Sequence, residues 1–156
     1  MIKFFAAGTP QTAGSKKGFV VKIKDRPGTS AKDYRAVITD DNEKGEKWKE
    51  IVAAECRRVH TGPPLDGPLQ MDVTFVLERP QGHFGTGKNE GQVKESAPEH
   101  HIIRPDASKL LRCLEDALTS VAYHDDGQIV AHHTFKTYGS NQGAHVEIAP
   151  LDPTLL

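Results

Sequence analysis

The sequence predicts an α+β fold: a single domain with one mixed β-sheet and two main helices packed on one of its faces. Three observations lead there. Two segments repeat apolar residues at spacings of three and four, as amphipathic helices do. Several others alternate apolar and polar residues, as half-buried strands do. The order along the chain is strands, helix, strand, helix, two strands, with no internal repeat. At 156 residues the chain is long enough for one real core and too short for two comfortable domains, so residues 1–156 are read as one unit.

Residues 2–7 (IKFFAA) read as a first strand, ended by Gly8-Thr9-Pro10. A Gly-Ser turn with Lys16 and Lys17 follows, then the alternating run Phe19 to Ile23, a strand or hairpin arm. Residues 24–42 are polar and turn-rich, broken by the short apolar patch Ala36-Val37-Ile38. In EKWKEIVAAECRRVH, the residues Trp48, Ile51, Val52, Cys56 and Val59 form one apolar helical face. Asp40, Asp41 and Asn42 are candidate N-caps for that helix, and Arg57 and Arg58 suit its C-terminal end. After TGPPLDGP comes a strand with Leu69, Met71, Val73, Phe75 and Leu77 on one face. Residues 80–103 form a long polar loop, which in a compact domain is usually functional or mobile. The second helix begins near Asp106, with Leu110, Leu111, Leu114, Ala117 and Leu118 on one face and Lys109, Arg112 and Asp116 on another. QIVAHHTFKTYG and AHVEIAPL then read as two strands joined by Ser140-Asn141-Gln142-Gly143.

Composition sets bounds on function. The formal net charge of −1 offers no global basic excess, so a nucleic-acid partner must be met by a local patch. No apolar stretch approaches the ~20 residues of a membrane span. The N-terminal apolar run is too brief for a signal-peptide core, and the expectation is a cytoplasmic protein. Cys56 and Cys113 both sit inside amphipathic patterns, which favours buried thiols over a disulfide.

The most informative segment is RPDASKLLRCLEDALTSVAYHDDGQIV, residues 104–130. A helix is bracketed by Asp106 at one end and Asp125-Asp126 at the other. In the ordinary reading, Asp106 caps the helix and Asp125-Asp126-Gly127 makes a turn. In the sharper one, the chain turns straight back into a strand and brings Asp126 toward polar groups of the helix. Carboxylates gathered there beside Lys109 and Arg112 would suit Mg²⁺ or Mn²⁺, ions that promote phosphodiester hydrolysis.

The same segment resembles the signature of the RusA-type Holliday junction resolvases, many encoded by phages and prophages. There a Lys/Arg-Pro-Asp-x-Asp-Asn-Leu-x-Lys run opens the helix, followed by Asp-Ala-Leu and then Asp-Asp-x-Gln-Val. This chain has Arg104-Pro105-Asp106-Ala107-Ser108-Lys109-Leu110-Leu111-Arg112, then Asp116-Ala117-Leu118, then Asp125-Asp126-Gly127-Gln128-Ile129. Gly8-x-Pro10 and Gly14-Ser15-Lys16-Lys17 also look like the family's opening. The resemblance implies a metal-dependent endodeoxyribonuclease acting on branched DNA, most naturally four-way junctions, in recombination, repair or phage DNA processing. Asp106 and Asp126 match its metal-binding acids and Asp125 the neighbouring acid, with Asp116 a further candidate ligand. Mg²⁺ is the implied cofactor, with Mn²⁺ a substitute. Arg112 and Lys109 would hold phosphate, and Lys16, Lys17 and Arg104 would extend the DNA surface. A homodimer follows from the family and from the two-fold character of a junction that needs paired cuts.

Two departures stand out. Ser108 replaces the second acid of the first motif, and Arg112 replaces a Lys. Two carboxylates can still hold Mg²⁺, which keeps several waters, so the first departure weakens affinity without forbidding catalysis. Arg112 cannot readily release a proton near neutral pH and would clamp phosphate charge. The competing reading is a junction-binding protein with weak or no cleavage; a third is an accessory phage protein that keeps only the fold. The eight histidines, including His100-His101 and His132-His133, match no zinc spacing with Cys and read as solvated loop and strand residues, with His124 set apart because it directly precedes the acidic pair. Lys88, Lys94 and Phe84 of the long loop read the same way, although Phe84 could stack on bases.

Overall fold

A computed structural model describes residues 1–14, 16–22, 34–40, 43–152 and 154. Asp41 and Asn42, and the side chains of Asp40, Lys16 and Lys17, lie outside the described residues.

The elements follow the expected order: β1 (Ile2–Ala7), β2 (Lys16–Lys22), β3 (Tyr34–Asp40), α1 (Glu43–Val59), β4 (Leu69–Leu77), α2 (Ala107–Leu118), β5 (Ile129–Tyr138) and β6 (Gly143–Pro150). One mixed sheet has the order β1-β6-β4-β5. β6 runs antiparallel to both β1 and β4, whereas β4 and β5 are parallel and joined through α2. The parallel pair requires a crossover, and the amphipathic α2 supplies it. β2 and β3 form a separate two-stranded ladder. The apolar patch around Val37 therefore belongs to a strand, because its register with β2 pairs Val37 with Phe19. Lys16 pairs with Asp40 and Lys17 with Thr39, so Lys16 and Lys17 lie at the end of the ladder opposite the Lys22–Tyr34 pair.

The strands alternate as their sequence demands. Along β4, Leu69, Met71, Val73, Phe75 and Leu77 are buried, and the residues between them are half-buried. Ile2 and Phe4 of β1 and Val146 and Ile148 of β6 share that buried face. α1 contributes Trp48, Val52 and Cys56, and α2 contributes Leu110, Cys113, Leu114 and Leu118, to the same continuous core. Fully burying an apolar side chain of this size stabilises the fold by about 1.5–3 kcal/mol. Gly8 is required where it stands: its φ of 143° is rarely adopted by L side chains, and a Cβ there would meet the Trp48 ring at 3.4 Å. Cys56 and Cys113 are buried free thiols.

The long polar loop is anchored, and cations do the anchoring. Arg79 Nη1 donates to Pro98 O at 2.8 Å while its guanidinium lies 4.2 Å from the centre of the Tyr138 ring. Lys94 Nζ donates to Gly82 O at 2.9 Å. Phe84 is half-buried and bridges to Val93. His101 is only 7% exposed and stacks near Tyr138, which corrects the expectation that it is solvated. Its pKa is held below the usual value, by burial first and by the Lys136 charge second.

Candidate active site

Asp106 occupies the N-cap position of α2, but its carboxylate makes no cap hydrogen bond. Its backbone carbonyl accepts from Leu110 N at 3.1 Å, closing the first helical turn. The carboxylate is half exposed, and its recorded partner is Lys109 Nζ at 3.4 Å. An N-cap acid normally spends its oxygens on first-turn amides. Here they are left for something else.

The surroundings are cationic. Arg104, Pro105, Asp106 and Lys109 line a cleft of about 550 Å³ with Pro10, Gln11 and Thr12. Ala13 N donates to Lys109 O at 3.2 Å, so the segment leading from β1 to the Lys16-Lys17 strand crosses the first turn of α2. Ser108, Lys109, Arg112 and Asp116 are all exposed along the helix. Ser108, Arg112 and Asp116 recur every four residues and so share one ridge. Among the described residues, the side chains of Arg104, Ser108 and Arg112 have no hydrogen-bond or ion-pair partner.

The acids after α2 divide their work. Asp125 Oδ1 accepts from Gly127 N at 2.8 Å, and Gln128 Oε1 accepts from Asp125 N at 3.1 Å, a reciprocal cap on the one-turn 3-10 helix Asp126–Gln128. Asp125 is thus committed to the turn. Asp126 is exposed; its backbone carbonyl accepts from Ile129 N, and its side chain has no hydrogen bond or ion pair among the described residues. Next to the pair, His124 Nε2 lies 3.2 Å from Asp66 Oδ1.

Asp106 and Asp126 do not meet within the chain. β5 runs antiparallel to α2: Lys136 Nζ donates to Pro105 O at 2.8 Å, while His132 Nε2 sits 2.6 Å from Glu115 Oε1. Asp106 therefore lies at the late end of β5, and Asp126 precedes its start. The twelve residues of α2 put ~18 Å between the two ends. Asp116 lies nearer the Asp126 end; Glu115, Asp126 and Asp116 all add to the burial that pushes the Tyr123 phenol pKa up. Among the described residues no three His, Cys, Asp or Glu side chains gather as a metal cage. The residues of one chain do not by themselves fit a divalent cation held by both motifs.

Lys136 escaped the sequence reading. It also donates to Ile103 O at 2.9 Å. The signal was there in the period-two pattern of β5, which puts Lys136 on the same side as His132, facing the helix.

A family model described as Endodeoxyribonuclease RusA matches residues 19–149. A Bacillus subtilis (strain 168) protein described as uncharacterized protein YqaN is 24% identical over 147 residues, covering 94% of each chain.

Proposed function

The chain belongs to the RusA endodeoxyribonuclease family, and from that premise we propose that it is a divalent-metal-dependent, structure-selective endonuclease cutting four-way junctions or other branched DNA, in recombination, repair or phage DNA processing. The observation that carries this reading is the Asp106 carboxylate, free of capping duty at the head of α2 with Arg104 and Lys109 beside it. Backbone N–H groups at a helix start attract phosphate, and Arg112 and Lys109 add cationic clamps on the exposed face. Mg²⁺ supplies the charge stabilisation that phosphodiester hydrolysis needs. Among the described residues no helix is long and apolar enough to cross a membrane, and a cytoplasmic place of action fits the proposed substrate.

The working form in this reading is a homodimer. β5 is an edge strand of ten residues with Val130 and Phe135 exposed, the kind of edge that invites another strand. Antiparallel pairing of two β5 edges turns the Asp126 end of one copy toward the Asp106 end of the other. Acids too far apart in one chain then approach in two, once for each half of a two-fold substrate.

The test is incubation with a synthetic four-way junction and a matched duplex, with Mg²⁺ or with chelator. Paired nicks in the junction alone, dependent on Mg²⁺, support the proposal. Binding without nicking would favour a junction-binding protein disabled at Ser108. No binding at low salt would overturn both.

A further inference from the structure

Residues 98–105 lead into the Asp106 motif without regular structure, and among the described residues no backbone–backbone hydrogen bond holds them. Pro105 has no N–H to give. The segment is nonetheless held by side chains: Arg79 donates to Pro98 O at 2.8 Å near its start, and two further points fix the part nearer Asp106. His101 is buried, and the Lys136 ammonium grips the carbonyls of Ile103 at 2.9 Å and Pro105 at 2.8 Å. Between and beside those carbonyls the side chains point outward: Ile102 is 74% exposed, Ile103 51%, and Arg104 is exposed too. An apolar pair held in water by a charged clamp is unusual for a solvated loop, which would let it fold inward.

We propose that Lys136 is a positioning residue for the Asp106 motif. It spends two of its three donors on the carbonyls either side of Arg104, and so sets the height and direction of Arg104 and Asp106 relative to α2. It does this from β5, the strand whose start follows Asp126. One strand therefore registers both acidic motifs, one through its sequence and the other through this side chain. The proposal rests on the nuclease reading for its consequence and on the two hydrogen bonds for its substance. A phosphate-binding lysine would face solvent with its donors free. This one is half-buried and occupied.

The experiment compares full-length wild type, Lys136→Met, Lys136→Gln and Lys136→Arg. Amide hydrogen exchange at Leu110, whose N–H donates to Asp106 O at 3.1 Å, read without DNA or metal, reports how firmly the clamp holds the Asp106 turn. Single-turnover cleavage and junction binding read its consequence. Exchange should speed up in Lys136→Met and return toward wild type in Lys136→Arg. The cleavage rate should fall by up to about 10²-fold in Lys136→Met, the cost of a small misplacement near the chemistry, while junction affinity stays within threefold by the same argument. Lys136→Gln keeps a donor and serves the same comparison if Lys136→Met does not fold. Unchanged exchange overturns the proposal. So does a loss of cleavage matched by an equal loss of binding, which would make Lys136 a DNA contact. If wild type cleaves nothing but exchange rises in Lys136→Met, the clamp stands and the nuclease reading falls.

Discussion

Asp106 sits at the N-cap of α2, whereas Asp126 opens the one-turn 3-10 helix that follows α2, so the twelve-residue helix lies between the two acids. In the homodimer proposed above, a site using both acids draws on two chains, and mixing variants tests this. Asp106→Asn and Asp126→Asn should each be inactive alone yet bind junctions. Co-refolded together, half the dimers are mixed, and each mixed dimer carries one intact site. Nicking should recover to about a quarter of wild type, by the statistics of a two-fold dimer, without paired cuts. No recovery in a gel assay of strand nicking would rule out a shared site.

Ser108 stands one residue into α2, where the family pattern has an acid. Ser108→Asp should lower the Mg²⁺ concentration for half-maximal cleavage. A negative charge in the first turn also adds about 0.3–1 kcal/mol of stability without metal. Only the metal-dependent part is informative, so both are measured: cleavage against Mg²⁺, and thermal unfolding in chelator. An unchanged half-maximal concentration would remove Ser108 from the ligand position.

Arg112 is exposed on the ridge with Ser108 and Asp116. A charged hydrogen bond to phosphate is worth roughly 1.5–3 kcal/mol, so Arg112→Ala should cut cleavage by about one to two orders of magnitude. Arg112→Lys should retain part, since it keeps the charge and loses the planar fork. Equal rates in the two variants would make Arg112 a solvated helix residue.

Glu115 and His132 tie α2 to β5 at 2.6 Å, with the Glu115 side chain mostly buried. Glu115→Ala removes the pair; His132 is exposed and can turn to water, so the cost should be about 0.5–1.5 kcal/mol, the net worth of a hydrogen bond. A urea titration measures it. A change below ~0.5 kcal/mol, the range of ordinary surface substitutions, would show the pair to be incidental.

Burial pushes the Cys56 thiol from its ordinary 9.0 up to about 11. The unfolded chain then ionises first as pH rises. The stability contribution is complete below pH 9 and is lost as pH climbs to about 11, with a slope of up to ~1.4 kcal/mol per pH unit. Comparing wild type with Cys56→Ala across that window isolates the effect, and thiol labelling of the folded protein at pH 8 should be slow. Parallel stability curves would refute the assignment.

Local pattern showed both helices and the four strands of the main sheet, because each buries a single face. Its limit was pairing. Nothing in LQMDVTFVL or QIVAHHTFKTY marks them as parallel neighbours, since a parallel partner is chosen by the crossover and not by the strand. The Tyr34–Asp40 strand hid for a related reason: a hairpin arm with a short apolar patch reads as loop until its partner is known. At the site, residue types were legible from the resemblance, but the distance between Asp106 and Asp126 was not. That distance depends on α2 running antiparallel to β5, with Pro105 meeting Lys136 and Glu115 meeting His132.

The place of β6 between β1 and β4 has a consequence for how the protein is made. A ribosome adds roughly 5–20 residues per second, and β1 emerges first of all the strands. It must then wait for nearly the whole chain before its neighbour exists. In the interval β1 has no partner in the sheet, β4 has one open side, and the apolar faces of Phe4, Val73 and Phe75 lack their cover from Val146 and Ile148. A message truncated before Gly143 would therefore give no weakened nuclease. It would give a chain with unclosed sheet edges, a client for chaperones and proteases.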